Sequence, residues 1–143
     1  MGQPVTVIAD GMTGQIMEPV ELPDMKEMSR PARPWALTAE PGRPRNIITS
    51  LALKPEDLED VNIELQALFR EIEANEVRYD TYMLDDAEIA LVAYGTAARI
   101  CRTAVRKARE EGIKIGLFRP ISAYPFPYDA LKEAGGRMRK LLV

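Results

Sequence analysis

The chain has 143 residues, with 19 Lys and Arg against 22 Asp and Glu, a net charge of −3, a single cysteine and no histidine. That excludes an internal disulfide, a thiolate metal cluster, histidine metal sites and Ser-His or Cys-His nucleophilic systems, and it gives no electrostatic footprint for nucleic acid. No apolar run reaches the roughly 18 residues of a membrane span, and the N-terminus lacks the basic and apolar regions of a signal peptide, so a soluble, cytoplasmic chain is expected.

In chain order, residues 4–10 read as a short buried strand ended by the Asp10-Gly11 turn. Residues 14–20 have room for one helical turn, limited by Pro19. Residues 22–45 carry Pro23, Pro31, Pro34, Pro41 and Pro44 around Trp35, the composition of an extended connector, with Trp35 as its docking anchor. Pro55 opens a helix to about residue 74, with Glu56, Asp57 and Glu59 in its first turn and Leu58, Val61, Leu65, Leu68, Phe69 and Ile72 as apolar positions. Residues 77–83 alternate, as an edge strand or an extended lead-in would.

The densest signal follows. Ile89 to Tyr94 is a continuous apolar run of strand length, the pattern of a strand covered on both faces. Gly95 permits a tight turn and Thr96 can cap a helix over residues 97–111. Ala97, Ile100 or Cys101, Ala104 and Ala108 would form its core face, with Arg99, Arg102, Arg106, Lys107 and Arg109 on the solvated side. Gly112 suits the helix stop, and residues 113–118 return as a parallel strand by a right-handed crossover. A helix over residues 127–134, closed by Gly135-Gly136, and a third parallel strand over residues 141–143 complete the reading. The fold class is therefore α/β, a parallel Rossmann-like sheet flanked by helices. The first strand has no visible partner and the last is short, so both ends are expected to be truncated.

Several residues have chemical potential. The Gly95-Thr96 turn at a helix N-terminus can receive a phosphate or carboxylate, but a lone glycine is neither a dinucleotide fingerprint nor a P-loop, and a plain tight βα turn is the simpler reading. Arg119 falls at the carboxyl end of a parallel strand, where open α/β sheets place ligands; it would bind an anionic group or pair with a carboxylate across a subunit contact. Tyr124-Pro125-Phe126-Pro127 reads as a rigid, exposed aromatic turn suited to an interface. Asp85, Asp86 and Glu88 read as solvated charge rather than a metal loop, Asp10 as a turn former, and Cys101 as a small buried hydrophobe. No catalytic or metal-ligating residue is assigned. The residues alone leave three readings open: an enzyme-subunit fragment, a non-catalytic interaction module, and a small nucleotide-binding domain.

The ordered set Ala87-Glu88-Ile89-Ala90-Leu91-Val92-Ala93-Tyr94-Gly95-Thr96, Gly116-Leu117-Phe118-Arg119-Pro120-Ile121 and Pro125-Phe126-Pro127 resembles the α subunit of 2-oxoacid:ferredoxin oxidoreductases of the 2-ketoisovalerate and 2-oxoglutarate type. Asp10-Gly11-Met12-Thr13-Gly14-Gln15-Ile16-Met17-Glu18-Pro19-Val20 resembles the end of that subunit's first domain, and Trp35-Ala36-Leu37-Thr38 its connector. The resemblance implies a thiamine-pyrimidine-type domain ending at residue 22, a connector over residues 23–54, and an incomplete transketolase C-terminal-like domain over residues 55–143. It implies a parent enzyme that oxidatively decarboxylates a 2-oxoacid, passes the acyl group to coenzyme A and reduces ferredoxin through iron–sulfur clusters. Thiamine diphosphate and magnesium would be held by a different subunit or domain, the clusters would be carried elsewhere, and the partners would be a thiamine-diphosphate-binding β subunit, γ and ferredoxin-like subunits, and ferredoxin. Its own role would be assembly, with Gly95, Thr96 and Arg119 the residues expected nearest to substrate or coenzyme A.

Overall fold

The computed structural model describes residues 3–26, 33 and 35–143. It divides into two units, one running from the N-terminal segment to Met17 and resuming over Gln66–Val143, the other covering Glu18–Leu65. Pro31 and Pro34, read as part of the connector, lie outside the described residues.

In the second unit the connector is held by local contacts. The Arg33 guanidinium lies 5.4 Å from the centre of the half-exposed Trp35 ring. The Ala36 amide donates to the Arg33 carbonyl, and Arg43 Nη1 donates back to the Ala36 carbonyl at 3.1 Å. Thr49 turns its hydroxyl to accept from the Leu51 amide. The helix α2 (Pro55–Asn75) starts here with Glu56 and Asp57 in its first turn, as its sequence predicts, and ends in the first unit.

The first unit opens differently from its sequence reading. Residues 3–10 are exposed and form no strand. The helical turn comes earlier than expected, as α1 (Gly11–Gln15), because Asp10 is its N-cap and Oδ1 accepts from the Thr13 amide at 2.6 Å.

The sheet holds β1 (Tyr79–Tyr82), β2 (Ile89–Val92), β3 (Ile115–Pro120) and β4 (Lys140–Leu142) in the order β1-β3-β2-β4. β2 pairs in parallel with both β3 and β4, and β1 closes one edge antiparallel to β3. Residues 77–83 thus supply an edge strand. Helices α3 (Gly95–Glu110) and α4 (Tyr128–Arg137) cover opposite faces. Each strand feeds both sides by alternation. Leu117 joins Ala98 and Val105 of α3, with Tyr82, Leu91 and Ile115 around them. Phe118 joins Ala90, Val92 and Ala134, with Ala130 and Leu131 of α4.

The core face of α3 is Ala98, Cys101, Val105 and Ala108; Cys101 and Ala108 fall where expected, and Ala98 and Val105 take the places expected for Ala97 and Ala104. Ala97 and Ala104 are exposed, and Ile100 is 66% exposed. Of the two β-branched apolar side chains inside the helix, Val105 is fully buried and Ile100 faces outward, which fixes the rotation. α3 stops as its glycine predicts: Gly112 takes φ +81°, its amide donates to the Arg109 carbonyl, and the Ile113 amide donates to the Ala108 carbonyl. At the other end α4 runs through Gly135 and Gly136 instead of stopping at them. A Cβ on Gly135 would stand 3.1 Å from Leu141 Cδ1, so the glycine lets the helix lie close to β4.

Arg109, expected on the solvated face, is one-fifth exposed and ties three segments together. Its guanidinium makes a two-pronged pair with Asp86 at 2.7 Å on each prong. Nη2 also donates to the Met83 carbonyl and Nε to the Ile115 carbonyl, both at 2.7 Å. Met83 sits at φ +50°, and the chain there passes so close to β3 that a Cβ on Gly116 would meet the Met83 carbonyl oxygen at 2.5 Å. Asp86 is therefore paired, while its carboxylate stays exposed as expected. Glu88 is paired too, and its carboxylate meets Arg139 at 3.0 Å and Lys114 at 3.8 Å.

The turn after β3 exposes Tyr124 as expected but not its prolines. Pro125 and Pro127 are buried, the Tyr124-Pro125 peptide is cis, and Ser122 Oγ donates to the Pro125 carbonyl at 2.6 Å. Tyr124 donates to Glu73 of α2 at 3.1 Å and meets the Phe69 ring edge-on. No helix of the described residues is long and apolar enough to cross a membrane.

Two glycine substitutions separate these effects. Gly116→Ala forces a methyl onto backbone and is expected to cost about 2 kcal/mol or more in urea unfolding. Gly136→Ala, with nothing within 4 Å, is expected to be neutral or to stabilise by about 0.5–1 kcal/mol. A second measurement concerns Arg109: Arg109→Met is expected to lower the melting temperature more than Arg109→Lys, because lysine restores the charge but not the fork.

Candidate functional site

The carboxyl ends of β2 and β3 bring the candidate residues to one edge of the sheet. Gly95 opens α3 at φ +57°, a left-handed conformation that a side chain would strain. The N-cap position falls on Tyr94, which makes no side-chain cap bond, so Thr96 lies inside the helix and is not its cap. Thr96 instead donates its hydroxyl to Asp10 Oδ2 at 2.6 Å, while Thr13 Oγ1 lies 3.2 Å away. One carboxylate thus serves the starts of two helices, Oδ1 toward α1 and Oδ2 toward α3. The anion predicted for the α3 N-terminus is supplied from within the chain. The Thr96 hydroxyl, then the Thr13 amide, hold the Asp10 carboxyl down to about 2 from its ordinary 3.8.

Arg119 is placed elsewhere. It stands opposite Asp80 in the β1–β3 register, and its Nη2 lies 3.5 Å from Asp80 Oδ2. The expected carboxylate partner is therefore in the same chain. The pair is loose and about half exposed, and Arg119 Nε is buried with no hydrogen-bond acceptor. Arg119 and Asp80 border a cavity of about 60 Å³ on the α3 side of the sheet. Tyr82, Leu117 and Ala98 form its walls, and Arg99 and Arg102 reach it from α3. The Arg102 guanidinium lies over the Tyr82 ring, 4.5 Å from its centre. Gly95 and Thr96 do not line this cavity, so the expected residues fall into two separate environments.

The sequence reading assigned Arg99 and Arg102 to a solvated helix face and passed over Asp80 and Tyr82. Two signals were available: arginines three apart share a helix face, and Asp80 and Tyr82, two apart on a strand, share a sheet face. Neither reveals that the two faces meet.

The sheet order, the helices on both faces and the βαβ unit at their centre define a class. Residues 87–143 match the family model of pyruvate:ferredoxin oxidoreductase core domain II. Over 130 residues the chain is 45% identical to ketoisovalerate oxidoreductase subunit VorB of Methanothermobacter thermautotrophicus, a match covering 91% of this chain and 37% of that one. The counterpart from Methanothermobacter marburgensis is 43% identical over the same length and share. The 2-oxoglutarate synthase subunit KorA of Archaeoglobus fulgidus is 28% identical over 134 residues, 38% of its length. Among solved structures, 2-oxoglutarate:ferredoxin oxidoreductase from Magnetococcus marinus, with 2-oxoglutarate, coenzyme A and succinyl-CoA bound, superposes with a TM-score of 0.58 at 15% identity. That match covers 71% of this chain and 20% of the other, and supports the fold. The chain thus spans little more than a third of the VorB relatives it matches.

The Asp10 bridge has a measurable signature. The ionised carboxylate is favoured in the folded chain, so its stabilisation is complete above the ordinary 3.8 and fades as pH falls through about 2. Carboxyl-carbon NMR is expected to show Asp10 titrating near 2, and Thr96→Val, which removes the principal donor, to move it up toward 3.8.

Proposed function

We propose that this chain is part of the α-type subunit of a 2-oxoacid:ferredoxin oxidoreductase acting on 2-ketoisovalerate. The observation that carries the reading is the 45% identity to a ketoisovalerate oxidoreductase subunit, sustained over 91% of the chain. The parent enzyme would oxidatively decarboxylate the 2-oxoacid, form an acyl-CoA and reduce ferredoxin. The match over residues 87–143 favours this reading over a free-standing interaction module.

The described residues do not suit thiamine diphosphate with magnesium. They contain no group of three His, Cys, Asp or Glu able to hold a metal, and the phosphate seat at the start of α3 already faces the Asp10 carboxylate. Cys101 is a lone thiol packed beside Ala98 and Val105, unsuited to a cluster. No step of the reaction is therefore assigned to a side chain here. The proposed work of this part is to shape and assemble the complex with a thiamine-diphosphate-binding β subunit, γ and ferredoxin-like subunits, in the cytoplasm. Domain limits of 1–22, 23–54 and 55–143 belong to the same proposal, as does the placing of Gly95, Thr96 and Arg119 near substrate or coenzyme A.

The test is affinity purification of the tagged protein from its source cells under anaerobic conditions, followed by assay of viologen dye reduction. Dependence on both coenzyme A and 2-ketoisovalerate, with lower rates on pyruvate and 2-oxoglutarate, is the expected result. Purification of the intact assembly without any 2-oxoacid-dependent reduction overturns the reading.

A further inference from the structure

The cavity beside Arg119 has features that the fold does not account for. Its lining brings Arg102 and Arg119 together with one carboxylate, Asp80. The Arg119–Asp80 contact of 3.5 Å is longer than a close charge-assisted hydrogen bond, which runs about 2.7–2.9 Å. Arg119 Nε is buried and has no acceptor among the described residues. A buried N–H on a charged group left in that state is unfavourable unless something that the chain itself does not supply accepts from it. Arg102 is held over Tyr82, so its position does not rest on an acid partner. A cavity of about 60 Å³ takes roughly four waters, the bulk of one tetrahedral oxyanion. It also lies at the carboxyl end of β3, on the ligand edge of an open α/β sheet. The larger cavity on the α4 side, about 210 Å³, offers no such excess, since Asp85 and Glu133 there face Arg137.

We propose that this cavity is a binding site for a phosphoryl-class oxyanion, held by Arg102 and Arg119, with Asp80 as the internal competitor that the anion displaces. Arginine forks suit the planar, paired recognition of phosphate oxygens, and Asp80 keeps Arg119 oriented when the site is empty. The proposal is independent of which 2-oxoacid the parent enzyme uses. The ligand is either free phosphate or the phosphoryl end of a larger molecule.

The test is an NMR titration of the full chain with inorganic phosphate at fixed ionic strength, reading the arginine Nε–H signals. The Arg119 signal is expected to shift saturably. Arg119→Gln should weaken binding about tenfold or more, the loss of one charge-assisted contact. Asp80→Asn should tighten it about threefold or more by removing the competitor, a gain that a misfolded variant cannot produce. ADP titrated in parallel separates the sources. Binding about tenfold tighter than phosphate with the same Arg119 dependence identifies the end of a larger ligand, and equal binding identifies free phosphate. Unsaturable shifts shared by all arginines, or affinities unchanged by both substitutions, overturn the proposal.

Discussion

The βαβ unit depends on one guanidinium. Arg109 leaves the last turn of α3 and reaches Asp86, Met83 and Ile115 at once, so it ties the end of the crossover helix to the lead-in of β2 and the start of β3. Helix, loop and strand can meet there only because two other residues conform: Met83 turns left-handed and Gly116 has no side chain. A lysine offers the same charge without the fork, so this junction is a matter of geometry more than of net attraction. With it fixed, Leu117 and Phe118 emerge on opposite faces of β3, one to α3 and the other to α4. The two halves of the core follow from that.

Much of this was legible in the sequence, and the reasons differ by element. The apolar run from Ile89 and the Gly112 stop are strong local signals, and they produced β2 and the end of α3 where expected. The face of α3 was misread because alanines carry little directional information; Val105, which does, was outvoted by them. Gly135-Gly136 reads as a stop by propensity, yet the helix continues because β4 demands a close approach. Residues 4–10 have strand composition, but a strand exists only as a pair, and composition does not show whether a partner is within reach.

The candidate site was legible by residue and not by arrangement. Gly95, Thr96 and Arg119 do stand at strand ends, yet the first two face a carboxylate from a segment more than 80 positions earlier, and Arg119 faces a carboxylate on the neighbouring antiparallel strand. Asp10 reads as a turn former, and Asp80 carries no sequence signal of its own. A charge in a sequence announces itself; its partner across a fold does not. The same limit hid the relation of Arg102 to Tyr82, since helix face and sheet face are each visible in periodicity but their contact is tertiary.

The glycine pair in α4 has a dynamic consequence. Two adjacent glycines weaken the last turn of a helix that has only ten residues, and the strand beside it has three, all exposed. Gly135 lies against Leu141, so the weak turn and the weak strand support each other. They therefore form a unit that opens together, on a shorter timescale than the sheet interior around Ala90 and Phe118. Amide hydrogens of this corner are therefore expected to exchange with solvent faster than those of β3.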